Sequence, residues 1–454
     1  MVQCTTASQR LVGLVGMRCP SDWMIVRWVK VDWGSEEGLG KRRGIESMQD
    51  DRVKRTREEE SMAEPDVEGS KPLGLDATLA AMYGQHRADF FVALGSDAAL
   101  LFGSTVKSRN GDVDYTYRPG SDILYLSGWT DPECALLFRP GADHPFVMFV
   151  RPNNPSREVW TGRRPGLDGA QDVYGADIAY SIDELATMLP DLLQGYSTLH
   201  YRVADDFGND RLVVGAIAAA RRKARMNNLD VPSAFIDPGR VLHELRLIKS
   251  GVEIDLLQKA ADITQEAHLE AMRTTRPGGW EYELEAVIAY VFRRHGAHGP
   301  GYPSIVGGGV NATILHYSTN HQMLNDGDLV CVDAGCEFQW YTADVTRTWP
   351  VNGRFSPAQN DLYNVVLDAE IAAIAKVEKG RPWSDIHATS TRVLTKGMVR
   401  LGLLGGDWQD ETHIDKLIAS GEQKRYFMHG TRHWLGMDVH DVGAYSKDGK
   451  SRKL

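Results

Sequence analysis

Two aspartates and four histidines are the residues of this chain whose types and spacing can do chemistry. Asp333 ends the apolar run Leu329-Val-Cys-Val, and Asp344 follows eleven residues later at the head of Asp-Val-Thr-Arg-Thr. An ionised carboxylate is costly to bury unpaired, so one that closes a strand-like run is expected to be exposed, paired or bound to a cation. If residues Cys336 to Trp340 turn the chain, Asp344 returns beside Asp333 on a neighbouring strand. Carboxylates that close raise each other's pKa unless a cation lies between them. Oxygen ligands of this kind suit manganese, magnesium or zinc. The alternative is that Asp333 caps a turn and Asp344 pairs with Arg347.

His429, His433 and His440 fall within twelve residues, spaced by glycines and bounded by apolar positions. Neutral imidazole is a good metal ligand, and its second nitrogen usually needs a partner, for which Asp438 or Asp441 are the candidates. His316, in Ile314-Leu-His-Tyr317, is a fourth candidate. A surface or satisfied core role is the alternative for each, and it is most open for His316. The combination of paired aspartates and clustered histidines points to a hydrolytic metal site.

The elements that must position these residues begin well into the chain. Residues 1–70 include a stretch, Lys41 to Glu60, dense in charge of both signs and poor in apolar residues. It buries too little to offset its ordering entropy and is expected to be a disordered extension, with Met48 or Met62 as alternative starts. Residues 75–205 form a first, mixed α/β domain. Its short apolar runs at Phe90–Leu94, Ala98–Phe102, Ile123–Leu126, Ala135–Phe138 and Phe146–Val150 are separated by turn residues and are expected to be strands. Ser181 to Leu193 and Asp210 to Asn227 have helical periodicity, and 206–250 is expected to be a helical connection. A second domain, 251–454, starts with helices over Glu253 to Thr274 and Trp280 to His295. Strand-like pieces follow at Ser304–Val306, Thr313–Tyr317, Leu329–Asp333 and Ala343–Trp349. Two more helices are expected over Asn360 to Lys379 and Ser384 to Leu401.

The totals exclude some function classes. At 454 residues the chain is long for one domain. Its net charge is 51 − 61 = −10, which argues against a broad nucleic-acid footprint. No apolar run approaches the roughly 20 residues needed to cross a bilayer. Cys4, Cys19, Cys134, Cys331 and Cys336 are an odd and scattered set without CxxC spacing, as expected for a cytoplasmic, reducing setting. The first 20 residues have Arg10, Arg18 and only a short apolar piece, so a targeting segment is the weaker reading of that end.

Several segments resemble one family. Ile314-Leu-His-Tyr, Asp326-Gly-Asp-Leu-Val-Cys-Val-Asp-Ala-Gly-Cys-Glu, Ala343-Asp-Val-Thr-Arg-Thr-Trp-Pro-Val-Asn-Gly and Met428-His-Gly-Thr-Arg-His-Trp-Leu-Gly-Met-Asp-Val-His-Asp are similar to the pita-bread metallopeptidases of the aminopeptidase P type. Tyr117-Arg-Pro-Gly-Ser-Asp-Ile-Leu-Tyr-Leu-Ser-Gly-Trp and Arg157-Glu-Val-Trp-Thr-Gly-Arg-Arg-Pro-Gly resemble that family's non-catalytic N-terminal domain. The resemblance covers about residues 75–454. It implies an α/β (α+β) fold in which a mixed α/β domain precedes a pita-bread (creatinase/aminopeptidase) domain. It also implies release of the first residue from peptides with proline second. Asp333, Asp344 and His433 match ligands of a two-ion centre, typically manganese, and His316, His429 and His440 match histidines lining the substrate pocket. The family's site also uses two glutamates on later strands. None occurs in Val442 to Leu454. The pita-bread domain is therefore expected to lack its last strands, with activity in doubt. An inactive peptide-binding relative, a prolidase-like X-Pro dipeptidase and a creatinase-like amidinohydrolase stay open, and homo-oligomers are expected.

Overall fold

The computed structural model describes residues 75–454, so the expectations for residues 1–70 lie outside the described residues. The first unit is built on a six-stranded mixed sheet of β1 (Ala98–Phe102), β2 (Ala135–Phe138), β3 (Phe146–Val150), β4 (Ile178–Ser181), β5 (Thr198–His200) and β6 (Ala234–Ile236), in the order β4-β3-β2-β1-β5-β6. The pairs β1–β2 and β2–β3 are antiparallel, while β4 and β5 join in parallel. Alternation along the strands explains why β1, β2 and β3 are continuously apolar. Ala99, Leu101, Leu136, Phe138, Met148 and Val150 pack into one buried cluster, and Ala98, Leu100, Ala135, Leu137, Val147 and Phe149 pack into another on the opposite face.

Two expected strands are helices. Phe90–Leu94 is the last turn of α1 (Ala77–Leu94), and Ile123–Leu126 lies in α2 (Ser121–Ser127). In α1, Phe90 and Leu94 are four residues apart and buried, whereas Val92 between them is 83% exposed, a helical rather than a strand pattern. In α2 residues 123–126 are all buried, so the run has no polar face to reveal its period. Thr313–Tyr317 is also no strand. It follows a 3-10 turn, Gly309–Thr313, and belongs to a loop.

The chain leaves the first sheet through α3 (Gly239–Leu247) and enters α4 (Gly251–Thr274), whose start is fixed by a reciprocal capping pair, Ser250 and Glu253. Helices α4 and α5 (Glu281–Arg294) back a three-stranded antiparallel sheet of β7 (Ile305–Gly308), β8 (Leu329–Ala334) and β11 (Val345–Pro350). Val330, Val332 and Ala334 point into the shared core with Ile263, Ala267, Leu284 and Ile288. Strand alternation therefore turns Cys331 and Asp333 to the opposite face, which borders a cleft of about 2880 Å³. Between β8 and β11 the chain makes a hairpin, β9 (Cys336–Phe338) and β10 (Tyr341–Thr342), across Gln339 and Trp340. Both turn residues have positive φ, 46° and 69°, as a tight two-residue hairpin requires. Helices α6 (Pro357–Ile374) and α7 (Trp383–Arg400) pack on each other and line the far side of the cleft. Cys134, Cys331 and Cys336 are buried thiols. No helix among the described residues is long and apolar enough to cross a membrane.

Candidate metal centre

Asp333 sits near the end of β8, where it pairs in register with Ile305 on one side and Thr346 on the other. Asp344 lies one residue before β11, so the hairpin brings the two aspartates to the same end of the sheet. The return is tight. A Cβ on Gly335 would sit 1.7 Å from the Ala343 carbonyl oxygen, so only glycine allows the crossing that juxtaposes Asp333 and Asp344.

Tyr302 joins the two carboxylates. Its hydroxyl lies 2.5 Å from Oδ1 of Asp333 and 3.0 Å from Oδ1 of Asp344. Burial and the two flanking carboxylates push the Tyr302 phenol well above its ordinary range. The aspartates diverge. Burial and the neighbouring Asp344 charge raise Asp333. Burial also works against the Asp344 anion, but His433 more than reverses it and the net shift is downward.

His433 supplies that counter-charge through Nε2, 2.8 Å from Oδ2 of Asp344. Its Nδ1–H donates to the Trp434 carbonyl at 2.9 Å, which fixes the ring and leaves Nε2 as the atom facing the carboxylates. Burial lowers the His433 pKa, yet the Asp344 hydrogen bond outweighs it and the net shift is upward. His440 stacks edge-on to His433 with ring centroids 4.3 Å apart. One ligand atom each from Asp344, His433 and His440 lie within 4.8 Å of one another. His316 and His429 border the same cleft without joining that cluster. His316 is exposed on its loop, and half-buried His429 bonds the Gly430 carbonyl at 2.7 Å through Nδ1.

Asp438 and Asp441 do not serve the imidazoles. They are taken by cations from earlier in the chain. Arg246 on α3 donates to Asp438 and Asp441, each at 2.7 Å, and to Asp122 on α2 at 2.9 Å. Lys249 reaches Asp441 at 2.7 Å. Arg118 pairs with Glu337 at 2.6 Å and donates to the Met437 carbonyl at 2.8 Å, while Ser121 donates to Asp438 at 2.6 Å. Buried cations prefer carboxylates because an ion pair restores part of the lost hydration. The histidine segment is thus pinned on either side of His440 by residues from earlier in the chain.

Sequence reasoning missed Tyr302, Arg118 and Arg246. The first stands in the glycine- and proline-rich stretch Gly299-Pro-Gly-Tyr-Pro, where an aromatic residue amid turn formers was the available signal. The arginines carried none, because their partners are more than a hundred residues away.

The donor set fits a divalent cation. Asp344, His433 and His440 bring one ligand atom each to one point, Asp333 stands beside Asp344 across the Tyr302 hydroxyl with its pKa raised by that neighbour, and a positive charge there removes the repulsion of the two carboxylates. Comparison with known proteins decides the family. Residues 255–454 match metallopeptidase family M24, and residues 83–201 match the aminopeptidase P N-terminal domain. The Xaa-Pro aminopeptidase of Escherichia coli is 40% identical over 359 residues, covering 79% of this chain and 80% of its own. That of Haemophilus influenzae is 42% identical over 354 residues and covers 78% of each.

The chain belongs to metallopeptidase family M24, in its aminopeptidase P branch. It is a metal-dependent aminopeptidase built of an N-terminal domain and a pita-bread domain. The solved aminopeptidase PepP of Pseudomonas aeruginosa superposes with a TM-score of 0.79 at 42% identity, over 83% of this chain and 84% of that one. A zinc-substituted aminopeptidase P from E. coli, solved with product, gives 0.78 at 38% identity over 84% and 85%.

Proposed function

We propose that the chain removes the N-terminal residue from peptides whose second residue is proline, using manganese held by Asp333, Asp344 and His433. The observation that carries this reading is the meeting of Asp333 and Asp344 at the Tyr302 hydroxyl, at one end of the β8–β11 pair, with Nε2 of His433 2.8 Å from Asp344. A divalent ion bound there supplies a Lewis acid and lowers the pKa of water.

The chain's own groups do the rest. Tyr302 holds Oδ1 of both carboxylates, and Oδ2 of Asp344 meets His433. His440, beside His433 and open to the cleft, is placed to donate a proton or hydrogen bond to the carbonyl oxygen of the residue before proline as negative charge develops on it. His316 and His429 line the path by which a peptide reaches that point. The names of the relatives support proline at the second position, since they are Xaa-Pro aminopeptidases.

The test is incubation of the purified chain with a Gly-Pro-X tripeptide and manganese. Free glycine released at a metal-dependent rate supports the reading, and no release over the uncatalysed background sinks it. Faster cleavage of an X-Pro dipeptide than of the tripeptide would instead favour a prolidase-like dipeptidase.

A further inference from the structure

We propose that Glu281 is the positioning residue for His316, an inference that rests on the reading of His316 as a cleft-lining group of the peptidase. Glu281 is the first residue of α5 and is 0% exposed. A carboxylate so placed must have its charge satisfied by donors. Its Oε1 accepts from the Gly308 N–H at 2.7 Å and from Nδ2 of Asn311 at 3.1 Å. Its Oε2 accepts from the Tyr317 hydroxyl and the Gln322 N–H, both at 2.8 Å. The N-terminal end of α5 adds the favourable end of a helix dipole.

The four donors share a location. Gly308 closes β7, Asn311 lies in the 3-10 turn, and Tyr317 and Gln322 follow in the loop, so one buried anion gathers both arms of the segment whose exposed turn carries His316. Between Asn311 and Tyr317 the side chain of Thr313 bonds locally, to the Val310 carbonyl. The position of His316 against the metal-bearing strands is therefore set from Glu281. Hydrogen bonds to a charged acceptor are the strong ones, and losing one leaves a buried donor bare.

Glu281→Gln separates this role from simple filling of space. The amide keeps the shape but presents an N–H to a backbone N–H, of Gly308 or of Gln322, that cannot turn away. Amide hydrogen exchange over residues 308–322 is expected to rise about tenfold while exchange in α5 and β8 stays as in the parent. Unchanged exchange in the loop, or a rise spread over the whole second domain, overturns the proposal. The KM for a Gly-Pro-X tripeptide with manganese gives a second reading, of peptide binding. Glu281→Gln and His316→Ala should each weaken binding about tenfold, and the double variant no further, because both changes remove one and the same contact. Losses that multiply in the double variant overturn the proposal. A His316→Ala variant that binds peptide like the parent overturns the reading of His316 itself and leaves the anchoring to be decided by exchange alone.

Discussion

The hydroxyl of Tyr302 lies 2.5 Å from Oδ1 of Asp333 and also reaches Asp344, so one phenol sets the spacing of two carboxylates brought together from separate strands. Groups that orient metal ligands typically change metal affinity ten- to a hundredfold when removed. Tyr302→Phe keeps the ring and loses only the bridge. Manganese affinity measured by calorimetry should fall by roughly that factor, with thermal unfolding nearly unchanged. Parent-like affinity would show that the aspartates hold their places without the phenol.

Asp333→Asn and His433→Ala each remove a proposed ligand. Both should abolish tight manganese binding and any aminopeptidase turnover. Unchanged affinity in both variants would falsify the ligand assignment.

Metal binding should depend steeply on pH. The His433 pKa is raised above its ordinary 6.5 by Asp344, so the imidazole keeps its proton into a range where free histidine is neutral. A cation at Nε2 must displace that proton. Below the raised pKa the apparent affinity should fall about tenfold per pH unit, and above it the dependence should flatten. In the metal-free protein the sign for stability is the reverse. The contribution of the pair is fully present below about 6.5 and is lost as pH rises through the raised value. Proton release on manganese addition, followed in weak buffer at two pH values, checks this.

Arg246→Met should destabilise the fold by about 3–5 kcal/mol in urea unfolding, because Asp122, Asp438 and Asp441 would face one another in a largely buried space. Arg246→Lys should recover part of the loss, since an ammonium can meet one or two of the three carboxylates but lacks the planar fork. Equal stability of the methionine variant and the parent would sink the clamp.

His268, on α4 behind the metal-bearing strands, is driven down to about 4 by burial while its Nδ1–H donates to the Thr264 carbonyl. Its folded pKa is depressed, so between pH 6.5 and about 4 the unfolded chain takes up a proton that the folded chain refuses, and stability falls as pH falls. The effect is on the order of 3 kcal/mol. His268→Gln should unfold at pH 4.5 with a smaller drop from its pH 7 stability than the parent shows.

How much was legible in the sequence varied with the range of the interactions. Strand β8 and the return of Asp344 were readable because an apolar run, a glycine and a turn are local signals. Phe90–Leu94 was not, since five apolar residues in a row have no period and only the exposure of Val92 exposes the helix. Asp438 and Asp441 looked like partners for neighbouring histidines because the sequence shows neighbours. Their true partners are Arg246, 192 and 195 residues away, Lys249, 192 from Asp441, and Ser121, 317 from Asp438. Tyr302 meets Asp344 at a separation of 42, beyond any local pattern.

The cross-domain cations also bear on inheritance. Arg118, Ser121, Arg246 and Lys249 all precede residue 255, where the match to the metallopeptidase family begins. A chimera that joined this peptidase half to another first domain would hold Asp438 and Asp441 in place only where that domain presents donors at the positions of Arg118, Ser121, Arg246 and Lys249. The junction between the halves is crossed by charge, so a neutral residue at Asp438 or Asp441 leaves Arg246, on the far side, short of a counter-charge.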